Sequence, residues 1–332
     1  MNWNRILFCS ALSLTLFAAP GTAFSADPQI VLKLGETHPK GYPTEVADEE
    51  FARLVNERSS GRIKVEVYPG SQLGEEKAVI EQVQIGAVAM TRVSTAPMAQ
   101  FSKQLGVFAV PYIFESKEHM WAFLDGPDGK KLLESLEPSR FVGLCYYDGG
   151  SRNFYASKPI AKVEDLKGLK FRVIQNEWSQ KMVSAFGASA TPMPMGQVFS
   201  SLQTGVIDGA ENNPPTYFTW SHYQVAKHFL LDGHQRLPEI LVMSKVVWDK
   251  LSKEDQALLK KAAQDSVKKQ RELWDAYEAE TLQKVKDGGS TVTEVKDFAP
   301  FQKAVKPVID EAMKTFGEAL KAIEKAKPGK KI

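Results

Sequence analysis

The stretch Ile30-Val31-Leu32-Lys33-Leu34-Gly35, followed by His38-Pro39, by Val46, Phe51, Ala52, Leu54 and Val55 at helical spacing, and by Ile63-Lys64-Val65-Glu66-Val67-Tyr68, decides the fold class. A short apolar run, a 3.6-residue period and an alternating run read as strand, helix and strand. The helix stops in Glu57-Arg58-Ser59-Ser60-Gly61, and Pro69-Gly70 ends the second strand. The unit recurs as helix over 75–85, strand over 87–93, helix over 118–123 and strand over 141–147. Such alternation is an α/β signature.

A second set begins near residue 152, with strands over 153–156 and 170–173 separated by the turn Leu166-Lys167-Gly168-Leu169. Helix over 178–186, strand over 190–192, helix over 196–205, strand Gly209-Ala210-Glu211 and strand over 237–244 follow. From Lys253 to about Asp287 there is neither Gly nor Pro, and Ser252 with Asp255 forms a capping-box pattern at the start. A helix of that length is about 50 Å long, longer than one lobe of such a chain is wide, so it is expected to cross more than one lobe. Its apolar stripe includes Leu258, Leu259, Ala262, Val267, Leu273, Trp274, Tyr277, Leu282 and Val285. A coiled-coil dimer is the alternative use of that stripe, although the spacing departs from strict heptads. The Lys-rich tail over 325–330, with Pro328 and Gly329, is expected to fray.

Residues 1–25 read as a cleaved secretory signal: Arg5 precedes an apolar run over 6–19, then Gly21-Thr22-Ala23-Phe24-Ser25-Ala26. The run is too short to span a hydrocarbon layer of roughly 30 Å. Phe8 stands where a lipid-attachment signal before Cys9 needs a small residue, so a mature chain free in the periplasm is expected. The sequence has 332 residues, enough for one large or two medium lobes once the signal is removed. Of its 2 cysteines only Cys145 then remains, so no intramolecular disulfide forms. With 42 basic against 40 acidic residues, nothing points to nucleic acid or a membrane surface, and a small partner is expected.

The nucleophile elbow, the phosphate loop, His-Glu-x-x-His and Gly-x-Gly-x-x-Gly are all missing from the sequence. The 5 histidines, His38, His119, His222, His228 and His234, lack ligand spacing for a structural metal. Two arginines stand out instead. Arg152 lies in Gly150-Ser151-Arg152-Asn153-Phe154-Tyr155 and Arg172 in Leu169-Lys170-Phe171-Arg172-Val173-Ile174, both among apolar or aromatic neighbours. A guanidinium stays charged and matches a carboxylate with two parallel hydrogen bonds, so two forks converging on one cleft would make an anion receptor. The structural alternative pairs each with a nearby carboxylate such as Asp148 or Glu177.

Gln72-Leu73-Gly74, Arg152, Arg172 and Gly205-Val206-Ile207-Asp208-Gly209-Ala210-Glu211-Asn212, with the export signal and the long helix after Ser252, together resemble the substrate-binding proteins of tripartite ATP-independent periplasmic (TRAP) transporters, the dicarboxylate-binding-protein family. The resemblance covers essentially the whole mature chain. It implies a two-lobed periplasmic binding protein of α/β class, with a hinged cleft and a long helix bracing both lobes. Residues 26–149 plus 238–277 would form lobe I, and 150–237 plus 278–332 lobe II. It also implies an organic acid whose carboxylate is held by Arg172, with Asn212 fixing that pair and Arg152 contacting the same end. His38-Pro39, the segment from Gln72 to Glu76, Met90-Thr91-Arg92-Val93-Ser94-Thr95-Ala96-Pro97, Pro192-Met193-Pro194 and Pro238-Glu239-Ile240-Leu241-Val242-Met243-Ser244 resemble the branch that takes sugar acids such as glucuronate and galacturonate.

A hexuronate needs donors and acceptors at its hydroxyl end, and Glu76, Arg92, His38, Gln175 and Glu239 are the candidates to supply them. Each also has a structural reading: Glu76 as a first-turn helix charge, Arg92 as an ion pair within its own lobe, His38 as a shaper of the loop before Pro39. Phe154, Tyr155, Tyr217 and Trp220 fit lobe core better than a sugar platform. The expected partner is a TRAP membrane permease, and the expected receptor is a monomer without cofactor, metal or catalysis. A C4-dicarboxylate receptor of the same type, an enzyme acting on sugar acids and a receptor serving a signalling kinase are the rival readings.

Overall fold

The structure, a computed structural model, describes residues 28–329. The signal reading over 1–25 and the very end of the tail lie outside the described residues. The strands are β1 (Ile30–Glu36), β2 (Ile63–Tyr68), β3 (Met90–Ser94), β4 (Phe141–Tyr147), β5 (Ser151–Ala156), β6 (Lys170–Val173), β7 (Ser189–Pro192), β8 (Gly209–Asn212), β9 (His228–Arg236), β10 (Glu239–Ser244) and β11 (Thr291–Glu294). They form two sheets, ordered β2-β1-β3-β10-β4 and β11-β9-β5-β8-β6-β7. β1, β2 and β3 are parallel, and β10 runs against β3 and β4. In the second sheet β6, β7 and β8 are parallel, while β5 runs against β8 and β9.

The central strands β3 and β10 are buried on successive residues because both sheet faces are covered, whereas β2 at the sheet edge keeps its alternation. In the first lobe Leu32, Leu34, Met90 and Leu241 pack with Phe51, Val55 and Leu259 on one face, while Val93, Ile240 and Val242 pack with Val79, Val83 and Phe108 on the other. In the second lobe Phe154, Phe171 and Val173 meet Met182 and Phe301, while Tyr155, Ala210 and Phe229 meet Leu202, Tyr217 and Val285. Phe154, Tyr155 and Tyr217 are thus core, as expected; Trp220 is only half-buried.

The chain passes between the lobes at Asp148-Gly149-Gly150, at Leu237-Pro238 and along the helix Lys253–Asp287. That helix begins as the sequence predicts, with Ser252 Oγ accepting the Asp255 amide at 3.1 Å. Leu259 and Ala262 join the first core and Val285 the second, so its single stripe spans both lobes. At its middle Gln270 clamps the crossing strand, accepting the Asp148 amide at 2.8 Å and donating to the Asp148 carbonyl at 2.9 Å. Gly150 follows with φ +65°, and a Cβ there would lie 2.7 Å from the Trp274 ring, so only glycine fits this crossing.

Several elements depart from expectation. The strand expected over 87–93 begins only at Met90, because Gly86 at φ +81° ends the preceding helix Glu76–Ile85 in a left-handed turn. The helix expected over 196–205 divides into a 3₁₀ turn, Met195–Gln197, and the helix Val198–Gln203. β9, β11 and the helix Ala299–Lys325 have no counterpart in the sequence reading. That last helix starts in the second lobe with Phe301 and Val305, then packs Val308, Ala312, Phe316, Leu320 and Ile323 into a core of the first. The described part of the segment 278–332 therefore does not stay within lobe II. Among the described residues no helix is long and apolar enough to cross a membrane.

Candidate functional site

Parallel strands present their carboxyl ends along one edge, and in open α/β sheets that edge is where ligands sit. Here two such edges face each other. From the first sheet come Glu36, the last residue of β1, Ser94, the last of β3, and Glu239, the first of antiparallel β10 and in register with Ser94. From the second come Arg152 in β5, Arg172 in β6 and Asn212, the last residue of β8. Between them is a small cavity, about 30 Å³ of space open to the centre of a water molecule. His38, Glu76, Arg152, Arg172, Asn212 and Glu239, all singled out from the sequence, line it together with Thr37, Ser94, Ile174, Met195, Asn213 and Thr216. A wider hollow, about 570 Å³, lies between Trp121 and Arg271, but there Arg271 is already paired with Asp125 and set over the Trp121 ring.

The three buried arginines are held very differently. Arg92 is wholly buried and does not line the cavity. Its Nε donates to Glu36 Oε2 at 2.6 Å and its Nη1 to Glu239 Oε2 at 2.6 Å, while Nη2 contacts Glu36 Oε1 and donates to His38 Nδ1 at 2.6 Å. Within-lobe ion pairing, one of the two readings offered by the sequence, is thus its arrangement here.

Arg152 bonds Glu211 through Nε at 2.5 Å and Nη2 at 2.9 Å, and gives Nη1 to Asn212 Oδ1 at 3.0 Å. Its carboxylate partner is neither Asp148 nor Glu177. Asp148 instead accepts from Trp121 and from the Gly150 amide, and Glu177 pairs with Lys181. Burial alone would raise the Glu211 carboxyl, but Arg152 and His234 outweigh it and hold it down at about 2. His234 lies behind, with Nε2 3.6 Å from Glu211 and Nδ1 2.9 Å from Asp232.

Arg172 has no carboxylate partner among the described residues. Its Nε and Nη2 both donate to the Met193 carbonyl, at 3.0 and 2.8 Å, and its buried Nη1 has no hydrogen-bond partner among them. A buried, unpaired guanidinium nitrogen is costly, and Arg172 is one of the residues that line the cavity.

Opposite stand Glu76 and Glu239. Glu76 Oε1 accepts the Ser94 amide at 2.9 Å and lies 3.7 Å from Arg92. Burial first, then Glu239, push its carboxyl up to about 7. His38 stacks on Tyr42 with ring centroids 3.9 Å apart, and burial lowers its pKa. His38 Nδ1 lies 2.6 Å from Arg92 Nη2, which only donates, and 3.1 Å from Glu36 Oε1, which as a carboxylate only accepts. Gln175 does not reach the cavity. It is one residue beyond Ile174, which does, and its carbonyl accepts from the Gln100 side chain at 2.8 Å.

Sequence reasoning missed Asn213, which lines the cavity and caps the helix Pro214–Thr219, its Oδ1 accepting the Thr216 amide at 2.7 Å. The Asn-Pro-Pro run was the available signal, since Asn before a first-turn Pro is an N-cap pattern. Tyr42 was also missed; its hydroxyl meets Thr216 Oγ1 across the lobes at 3.0 Å. A second bridge runs from Asn176 Nδ2 to the Ala96 carbonyl at 2.8 Å. Among the described residues no group of His, Cys, Asp and Glu is arranged to hold a metal ion.

Comparison with known proteins gives a consistent picture. The family model "Bacterial extracellular solute-binding protein, family 7" matches residues 34–315. A solute-binding protein of Chromohalobacter salexigens is 37% identical over 275 residues, 82% of this chain and 82% of that relative. Among solved structures, a TRAP periplasmic solute-binding protein of Xanthobacter autotrophicus with bound β-D-galacturonate superimposes with a TM-score of 0.87 at 41% identity, covering 89% of this chain and all (100%) of that one. A Pseudomonas putida counterpart with bound D-glucuronate has a TM-score of 0.87 and 41% identity, covering 89% of this chain and 97% of that one.

Proposed function

Because the chain belongs to family 7 of the bacterial extracellular solute-binding proteins, the receptor subunits of TRAP transporters, we propose that it binds a hexuronate such as D-glucuronate or D-galacturonate and delivers it to membrane permease subunits. The observation that carries this is Arg172 Nη1, buried and unpartnered on a cavity between two lobes. A ligand carboxylate at that nitrogen would satisfy it with a charge-assisted bond, and Arg152 and Asn212 stand beside it to orient the same end. Opposite, Glu76, Glu239 and His38 supply acceptors and a donor for hydroxyl groups. The receptor performs no catalysis in this reading and works in the periplasm after loss of its signal.

A cavity of about 30 Å³ holds one or two waters rather than a sugar. Binding therefore requires the lobes to part and close again, with the crossings at 148–150 and 237–238 as hinge. Contacts made by both walls at once favour the closed form. The test is a thermal-shift screen of ligand-stripped protein against hexuronates, aldonates, aldarates, C4-dicarboxylates and keto acids, since a ligand specific to the folded state raises apparent stability. The largest shift is expected with a hexuronate. A shift confined to dicarboxylates or keto acids would overturn the sugar-acid assignment, and silence across every acid would overturn the carboxylate site.

A further inference from the structure

The first-lobe wall of the cavity carries an excess of negative charge. Glu36, Glu76 and Glu239 surround one guanidinium, Arg92, and two of these carboxylates, Glu76 and Glu239, line the cavity. Arg92 donates from Nε, Nη1 and Nη2 to Glu36, Glu239 and His38, and is screened from the cavity by them. Burial lowers the pKa of His38 and so disfavours its protonated form, which leaves Arg92 as the cation of this wall. The second-lobe wall has the opposite balance, with Arg172 free of any carboxylate among the described residues.

An ionised carboxylate only accepts hydrogen bonds. It therefore welcomes a hydroxyl, which donates, and meets a second carboxylate with repulsion that a buried setting strengthens. We propose that this wall is a charge filter: Glu76 and Glu239, held on Arg92, accept from the hydroxyl groups of a ligand anchored at Arg172 and repel a second carboxylate, so the site takes monocarboxylate polyols and refuses dicarboxylates. This rests on the receptor reading above, because the filter acts only on a ligand whose first carboxylate is already fixed.

The filter has a built-in titration. The charged groups around Glu76 are Glu239 from β10, His38 from the loop after β1, Arg92 from β3 and Arg172 from β6 across the cavity. Burial and Glu239 together hold its carboxyl near 7, so a modest acidification adds a proton and turns one repelling group into a donor.

The test is calorimetric titration of the ligand-stripped full chain with matched pairs, D-glucuronate against D-glucarate and D-gluconate against D-glucarate, the second pair removing ring closure as a variable. At about pH 8 the monoacid is expected to bind at least about 100-fold more tightly than the diacid. Glu76→Gln, and separately acidification of the native protein to about pH 5.5, should each narrow that ratio about 10-fold, chiefly by tightening the diacid. Should the variant fail to fold, the acid arm on the native chain decides. Glucarate binding within about 10-fold of a tightly bound glucuronate would overturn the filter while leaving the receptor reading intact. Diacid binding without glucuronate binding would overturn both.

Discussion

Behind the first-lobe wall of the cavity one guanidinium, Arg92, is shared among carboxylates, whereas on the second-lobe side two guanidiniums, Arg152 and Arg172, stand beside a single one, Glu211. On the proposed function, the difference separates scaffold from sensor. Arg92 has its charge met inside its own lobe and serves to hold Glu36, Glu239 and His38 in place. Arg152 is met by Glu211 and is thereby aimed, its remaining nitrogen bonded to Asn212. Of these three, Arg172 alone has no carboxylate partner among the described residues, although in the sequence it looks like the twin of Arg152. A strand-borne arginine among apolar neighbours is therefore diagnostic only once its partner in space is known.

Arg172→Ala is expected to give the largest effect. Removing the unpaired fork should weaken hexuronate binding by about 30-fold to several thousand-fold, since truncating one side of a buried charged pair costs about 2–5 kcal/mol. Isothermal titration reads this directly, and affinity within about 10-fold of the native protein would erase the distinction between sensor and scaffold. Arg172→Lys should also bind poorly, because an ammonium cannot reproduce the planar fork.

Stability should respond in the opposite order. Arg92→Met strands Glu36 and Glu239 without their cation, and breaking such a buried pair costs about 3–5 kcal/mol. Arg172→Met gives up no ion pair and should unfold in denaturant within about 1 kcal/mol of the native chain. If the two variants lose stability equally, Arg172 is structural after all.

Much of this was legible because periodicity survives folding. The long helix, its Ser252 cap and its two-lobe reach follow from a glycine-free and proline-free run, and Arg172 on a strand follows from a short apolar run after a turn, whereas grouping Arg152, Arg172 and Asn212 at one end of a ligand was implied by the family resemblance. What was not legible depends on partners far apart in the chain. Nothing near Arg152 announces Glu211 as its countercharge, because carboxylates pair in space. β9 was invisible as a strand since Asp232, His234 and Gln235 are polar yet buried: His234 Nδ1 meets Asp232 and Gln235 Nε2 donates to the Ala109 carbonyl, while His234 Nε2 and Gln235 Oε1 have no hydrogen-bond partner among the described residues. Gln175 lies beyond the end of β6, one residue past Ile174, where strand alternation no longer sets the direction of side chains, and it does not line the cavity.

The smallest effects lie in the pH dependence of stability, where the two walls should pull in opposite directions. Glu211 is held at about 2 in the folded chain against about 4.3 unfolded, so its contribution is present above about 4.3 and is lost as pH falls from there through about 2. The full span corresponds to roughly 3 kcal/mol, and Glu211→Gln should remove this acid-side slope, at the added cost of leaving Arg152 unpaired. Glu76 is the reverse case. An acid raised to about 7 binds more protons folded than unfolded between about 4.3 and 7, so its contribution is complete below about 4.3 and is lost as pH rises through about 7. About a fifth of that side chain remains exposed (20%), which screens the effect and leaves about 1–2 kcal/mol. Glu76→Gln should therefore flatten the fall in unfolding free energy between pH 5 and pH 8 measured in urea without altering the acid limb. A Glu76→Gln chain that still loses the native amount of stability over that range would place the titrating group elsewhere and remove the asymmetry between the walls.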